Sequence, residues 1–201
     1  NDVIVNQLIS ITKEMKNFMT PYMNILQPIL IERLNNEQIV KFCRVLSFTL
    51  LNNFIPISGS LYHKAASIAL SINDSTELRL LKQILKFMSF SVIFQNQPID
   101  DLLNIFEKVS AILPDVVINE LIRILQNSNV SFGSSWITRI FTKVKNHPSS
   151  MQLMYSIAIY GGIPYNLLHL ILRKNSINDE NFYELEKLNE KQKELLSKKL
   201  E

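Results

Sequence analysis

The stretch LKQILKFMSF at residues 81–90 repeats a pattern that first occurs 42 residues earlier, in IVKFCRVLSF at residues 39–48. Both stretches end in two apolar residues followed by Ser and Phe, with a basic residue just before them. A period of about 34 to 47 residues is typical of helical solenoids, in which one two-helix hairpin cannot bury its own apolar face and stacks on the next. We therefore predict that Phe48 and Phe90 occupy equivalent buried positions in successive hairpins. A chance match between two amphipathic helices is the alternative.

Helical spacing of apolar residues continues outward from these two stretches in both directions, and it is interrupted at clusters of Pro, Gly, Asn and Ser. The pattern predicts helices at residues 3–18, 22–34, 37–51, 60–71, 76–94, 99–113, 115–126, 134–145, 149–160, 165–173 and 180–200. The expected fold is all-α, with antiparallel helical hairpins stacked as a short α-solenoid or an irregular helical array. We expect residues 1–178 to form the hairpin array and residues 179–201 to form a charged C-terminal helix.

Several predicted helices carry their own start signals. Asp74 or Ser75 can cap the helix that follows, and Asp100 and Asp101 stand in a first turn, where the helix dipole favours negative charge. Pro114 separates two predicted helices by a tight turn. The paired carboxylates are therefore interpreted as a helix start and not as an acid–base pair.

Composition narrows the function classes. The chain has 201 residues, of which 47% are hydrophobic and only 4 are Gly, so it can bury a sizeable helical core. Its single cysteine, Cys43, excludes an intramolecular disulfide framework and is interpreted as a buried apolar residue, as expected in a soluble intracellular protein. The longest uncharged run, residues 146–172, is interrupted by proline and a Gly pair, so we predict no membrane span.

The run LNNEQIVKFCRVLSFTLLNN at residues 34–53, followed by LYHKAASIAL and then STELRLLKQILKFMSF, resembles a known class of repeats. These are the degenerate helical-hairpin repeats of organellar RNA-handling proteins, the FAST-kinase-like and heptatricopeptide class. The resemblance covers residues 34–113 and implies a mitochondrial or other organellar matrix location, with a role on organellar RNA or the organellar ribosome. No RAP-type C-terminal module is recognisable, so the resemblance does not extend to nuclease activity.

Catalytic motifs are missing from the sequence. It contains no G-x-G-x-x-G, P-loop, H-E-x-x-H, C-x-x-C or G-x-S-x-G motif. His63, His147 and His169 stand far apart, and no second ligand shares a helix face with any of them. We expect a non-enzymatic protein with no catalytic residue, no metal site and no cofactor, although a site assembled from remote residues is an open alternative.

The charge distribution is uneven. Residues 121–178 contain no Asp or Glu, whereas they contain six cationic side chains, Arg123, Arg139, Lys143, Lys145, Arg173 and Lys174. Within this segment Trp136, Arg139 and Lys143 fall on one flank of a predicted helix, with Lys145 close by. The cations can hold phosphates while the indole stacks on an unpaired base. In the alternative interpretation, Trp136 packs between helices and the cations only solvate the helix edge.

Two earlier helices carry similar basic stripes. Lys41 and Arg44 are spaced i and i+3, and Arg79, Lys82 and Lys86 are spaced i, i+3 and i+7. Stacked hairpins could join all these stripes into one path for a phosphate backbone. We interpret the protein as a helical repeat protein that binds RNA or a ribonucleoprotein. The alternative is a scaffold that docks protein subunits in a large complex.

Overall fold

The computed structural model describes residues 20–50, 56–73, 77–127 and 134–160, together with Val3, Gln7 and Ser10. Within this part of the chain the secondary structure is entirely helical, and no strand is present. The eight helices are α1 (Thr20–Arg33), α2 (Asn36–Leu50), α3 (Gly59–Ser71), α4 (Leu78–Gln95), α5 (Asp100–Val109), α6 (Pro114–Asn127), α7 (Ser134–Val144) and α8 (Ser150–Tyr160). The prediction of an all-α fold is confirmed.

Observed helix ends agree with the predicted ends to within two residues, with one exception. The helix predicted at residues 99–113 ends at Val109, and a turn follows in which the N–H of Leu113 donates to the carbonyl of Val109. Leu113 precedes Pro114, and the residue before a proline is sterically kept out of the helical region. The helices predicted at residues 165–173 and 180–200 lie outside the described residues, as do Asp74, Ser75 and most of the predicted helix at 3–18.

Local capping explains several of these ends. Asn35 and Gln38 form a reciprocal pair at the start of α2, because the side chain of each accepts from the main-chain N–H of the other at 2.9 and 3.2 Å. Ser58 caps α3 by accepting from the N–H of Leu61. Asn96 ends α4 in the left-handed conformation, with a φ of 51°.

Two compact units divide the chain, Asn1–Ile105 (unit 1) and Phe106–Glu201 (unit 2). In unit 1 each helix packs on the next helix but one, α1 on α3 and α2 on α4, and α3 also contacts both α2 and α4. The first residues of α2 and α4 are 42 positions apart, and those of α3 and α5 are 41 apart. Hairpins of nearly constant length therefore stack in antiparallel contact as a helical array.

The repeated stretch occupies equivalent environments in α2 and α4. Four pairs of residues 42 positions apart are buried in both copies: Ile39 with Leu81, Phe42 with Ile84, Cys43 with Leu85, and Leu46 with Met88. The serines also correspond, since Ser47 and Ser89 are buried and each hydroxyl donates to the carbonyl four residues earlier at 2.8 Å. Phe90 is buried as predicted, whereas the side chain of Phe48 lies outside the described residues.

Unit 2 buries its apolar residues between α6, α7 and α8. Contacts between α6 and α8 again join helices two positions apart in the chain. Among the described residues of this unit, the fully buried aromatic ones are Phe106 and Phe141. A charged group, Glu120 in α6, is buried as well. Its carboxylate accepts two hydrogen bonds of 2.9 Å from Arg123, one turn later. One terminal nitrogen of the Arg123 guanidinium donates to both oxygens of this buried carboxylate.

Three glutamines hold the extended residues that lead into α3. Fully buried Gln27 donates to the carbonyl of Pro56 and accepts from the N–H of Ser58, both at 2.6 Å. Gln95 accepts from the N–H of Ile57, and Gln97 donates to its carbonyl at 2.9 Å. These bonds satisfy main-chain groups of residues 56–58 that have no partner within a helix. The glutamines therefore fix the connection between two hairpins.

We predict that Gln27→Leu lowers the free energy of unfolding by roughly 1–3 kcal/mol, because it leaves the part-buried carbonyl of Pro56 and N–H of Ser58 without the partners that Gln27 supplies. Urea denaturation followed by circular dichroism measures the loss. Gln126→Leu, at an exposed position of α6, is the matched control and should change stability by less than about 0.5 kcal/mol. Equal losses in the two variants would contradict the structural role of Gln27.

Candidate nucleic-acid interface

An open cleft of about 260 Å³ lies between α2 and α4 in unit 1. Five residues line it: Arg44, Ser47, Arg79, Gln83 and Lys86. Three of the five are cations and none is acidic. We call this feature the α2–α4 cleft.

The helical repeat builds the cleft. Arg44 and Lys86 are 42 residues apart and stand at equivalent positions of the two stacked helices, so packing α2 on α4 brings their side chains to the same opening. Arg79, Gln83 and Lys86 follow one another at helical spacings of four and three residues, which align them along one face of α4. One arginine from α2 thus faces a polar stripe of α4.

Two of the predicted basic residues on these helices lie outside the lining. Lys41 is exposed and forms an ion pair with Glu37 one turn earlier, at 3.3 Å. Lys82 is exposed one turn after Arg79. Of the five cations that sequence spacing suggested here, the structure therefore gathers three, Arg44, Arg79 and Lys86, and leaves two on the outer surface.

A line of aromatic side chains, which was not among the predicted site residues, extends from the cleft. The Lys86 ammonium lies 5.8 Å from the centre of the Phe90 ring. The rings of Phe90 and Phe94 are stacked, with centroids 5.8 Å apart and planes at 19°. Lys86, Phe90 and Phe94 are spaced four residues apart on α4. This spacing was the sequence signal from which the row could have been predicted. We call the two stacked rings, Phe90 and Phe94, the aromatic ladder, and Lys86 lies at its cleft end.

Trp136 lies among apolar residues of unit 2. It is half-buried and lines a cavity of about 10 Å³ together with residues from α6, α7 and α8: Leu121, Leu125, Ile137, Ile140, Leu153 and Ile157. A cavity of this size holds about one water molecule and has no room for a base. The packing interpretation of Trp136 explains these contacts, and its proposed stacking on a base stays a prediction.

The cations near Trp136 contact an acid that precedes the acid-free segment. Arg139 forms an ion pair with the carboxylate of Glu107 at 3.3 Å, and Lys143 donates to the main-chain carbonyl of the same residue at 2.6 Å. Both contacts join α7 to the last turn of α5, where the helix dipole favours positive charge. Lys145 is half-buried, and its carbonyl accepts from Ser150. Although residues 121–178 contain no acid, Arg139 and Lys143 are therefore opposed by groups of Glu107.

Groups with catalytic potential have structural partners. The Nδ1 of His63 lies 2.6 Å from a carboxylate oxygen of Asp101, and His147 lies 2.9 Å from Asp115. The hydroxyl of Tyr62 donates to the carbonyl of Pro98 at 2.8 Å, and burial, followed by the nearby aspartates, raises its pKa. Across the described ranges no three His, Cys, Asp or Glu side chains are grouped to hold a metal ion. His169 lies outside those ranges.

Comparison with other proteins identifies no relative of this chain. No family model matches the chain, and no match is found among curated proteins or solved structures. Every helix in the described part of the chain is too short or too polar to cross a membrane.

We predict that Trp136→Ala lowers the free energy of unfolding by roughly 1–3 kcal/mol, since a half-buried indole leaves an apolar interface of three helices. Arg139→Gln combined with Lys143→Gln should cost less than about 1 kcal/mol, because both side chains are exposed. Thermal denaturation compares the variants. A tryptophan that acts only as a solvent-facing stacking surface would instead leave stability unchanged.

Cys43 provides a separate prediction from its burial. Burial raises the pKa of this thiol far above its usual range, so the reactive thiolate is scarce at neutral or mildly alkaline pH. We expect a water-soluble maleimide to modify native protein very slowly at about pH 8, near the usual pKa of a thiol. The same protein in urea should react fully. Rapid modification of the native protein would contradict the buried position.

Proposed function

We propose that the protein binds RNA or a ribonucleoprotein through the α2–α4 cleft, without catalysing a reaction on it. One observation carries the proposal: Arg44, Arg79 and Lys86 converge from two helices on one opening whose lining contains no acid. Arginine presents a planar fork of donors that matches phosphate oxygens, and lysine adds a compact charge. A polyanion with regularly spaced phosphates suits such a set of cations.

The proposal extends to the setting of the RNA. Resemblance to organellar helical-hairpin repeats supports a mitochondrial or other organellar matrix protein acting on organellar RNA or the organellar ribosome. This part rests on sequence resemblance alone. The helical array supports the binding role in a different way, because stacked hairpins present equivalent residues of successive repeats on one surface.

The test uses Arg44→Gln combined with Arg79→Gln and a labelled RNA of about 12 nucleotides, within the site sizes of single-strand binding proteins. Fluorescence anisotropy at several salt concentrations gives the slope of log affinity against log salt. Each lost phosphate contact should reduce the magnitude of the slope by about 0.7 on a single strand, so we expect a reduction of about 1.4 and weaker binding. Circular dichroism should show an unchanged fold, because surface substitutions rarely change stability by more than about 0.5 kcal/mol.

Lys41→Gln combined with Lys82→Gln is the matched control. It removes the same charge from the same two helices but outside the cleft, so it should reduce the slope much less. Arg139→Gln combined with Lys143→Gln tests the predicted interface on α7 in the same assay. Equal losses in all three double variants would point to a diffuse field and contradict the cleft. If the unmodified protein binds no RNA, the proposal fails and a scaffold that docks proteins replaces it.

A further inference from the structure

Phe94 is the exposed end of the aromatic ladder. Phe90 is 5% exposed, whereas Phe94 is 40% exposed, so a stack of rings that begins in the core ends at solvent. A single exposed apolar side chain is common and by itself indicates nothing. This one is joined to the α2–α4 cleft through Lys86, which lines the cleft and also lies over the Phe90 ring.

The helix end that carries Phe94 is held in place. Gln95 accepts from the N–H of Ile57, and Gln97 donates to the carbonyl of the same residue. Asn96 between them ends the helix in the left-handed conformation. Because its backbone is fixed on both sides and its ring is stacked on Phe90, Phe94 loses little conformational freedom when a ligand packs against it.

We propose that Phe94 stacks on an unpaired base, which makes single-stranded nucleic acid the ligand class of the α2–α4 cleft. The inference rests on the proposed function, since the cations must hold the phosphates of the same strand. Lys86 and Phe94 are eight residues apart, or about 12 Å along the helix axis, so a short run of one strand reaches from the cleft to the ring. Bases in a duplex are already stacked on one another and offer no free face to an aromatic side chain.

The experiment compares three ligands of equal length: oligouridylate, the same sugar–phosphate strand without bases, and duplex RNA. Phe94→Ala should weaken oligouridylate binding roughly 5- to 150-fold, because one lost stacked base has that effect on affinity. It should leave the salt slope unchanged, as no phosphate contact is removed. Binding of the strand without bases and of the duplex should not change. Phe94→Trp should retain binding of oligouridylate, because the larger ring also stacks.

Leu70→Ala is the matched control, since Leu70 is an apolar side chain of α3 with a similar exposed fraction, 43%. It should leave the affinity for all three ligands unchanged. Damage to the fold by Phe94→Ala would weaken all ligands alike, so the ratio of affinities for strands with and without bases isolates stacking.

If Phe94→Ala leaves that ratio unchanged while unmodified protein still binds RNA with a steep salt slope, stacking is overturned and the cleft proposal stands. If the unmodified protein binds none of the three ligands, the proposed function fails, and the inference fails with it.

Discussion

The packing of α2 on α4 is the contact on which unit 1 depends. Each of these helices has an apolar face too wide for its own hairpin partner to cover, and the repeated stretch gives both helices the same buried positions. Phe42 and Ile84, like Leu46 and Met88, are buried at corresponding positions of two helices that pack against each other. Burial of one large apolar side chain contributes about 1.5–3 kcal/mol to stability. Exposing several of these residues would therefore cost more free energy than the marginal stability of a small unit.

The same repeat determines where charge is placed. A residue that lies just outside the apolar face in one hairpin lies just outside it in the next, and stacking brings the two together. Arg44 and Lys86 meet in this way at the α2–α4 cleft. The requirement for a buried interface and the presence of a cationic opening thus have one origin in the sequence.

Sequence periodicity predicted the all-α fold, most helix ends and the period of the array because these depend on residues close together in the chain. The cations that it singled out on α2, α4 and α7 are exposed. It did not show which cations share a cleft, since that depends on the neighbouring helix, and so Lys82 was grouped with Arg79 although only Arg79 lines the opening. The glutamine contacts with residues 56–58 were missed for the same reason, because their partners are 29 to 40 residues apart.

The contrast between Trp136 and Phe94 shows that residue type alone does not predict which aromatic side chain is exposed. The only tryptophan stands beside cations in a segment without acids, and it drew attention for that reason. It lines a small apolar cavity together with residues of three helices, and the adjacent cations contact Glu107, which lies outside that segment. Phe94 is a commoner residue, yet it is 40% exposed, one residue before the end of α4. Whether an aromatic side chain is exposed depends on which neighbouring helices cover it. That property is set by the assembled array and cannot be read from the spacing of residues within one helix.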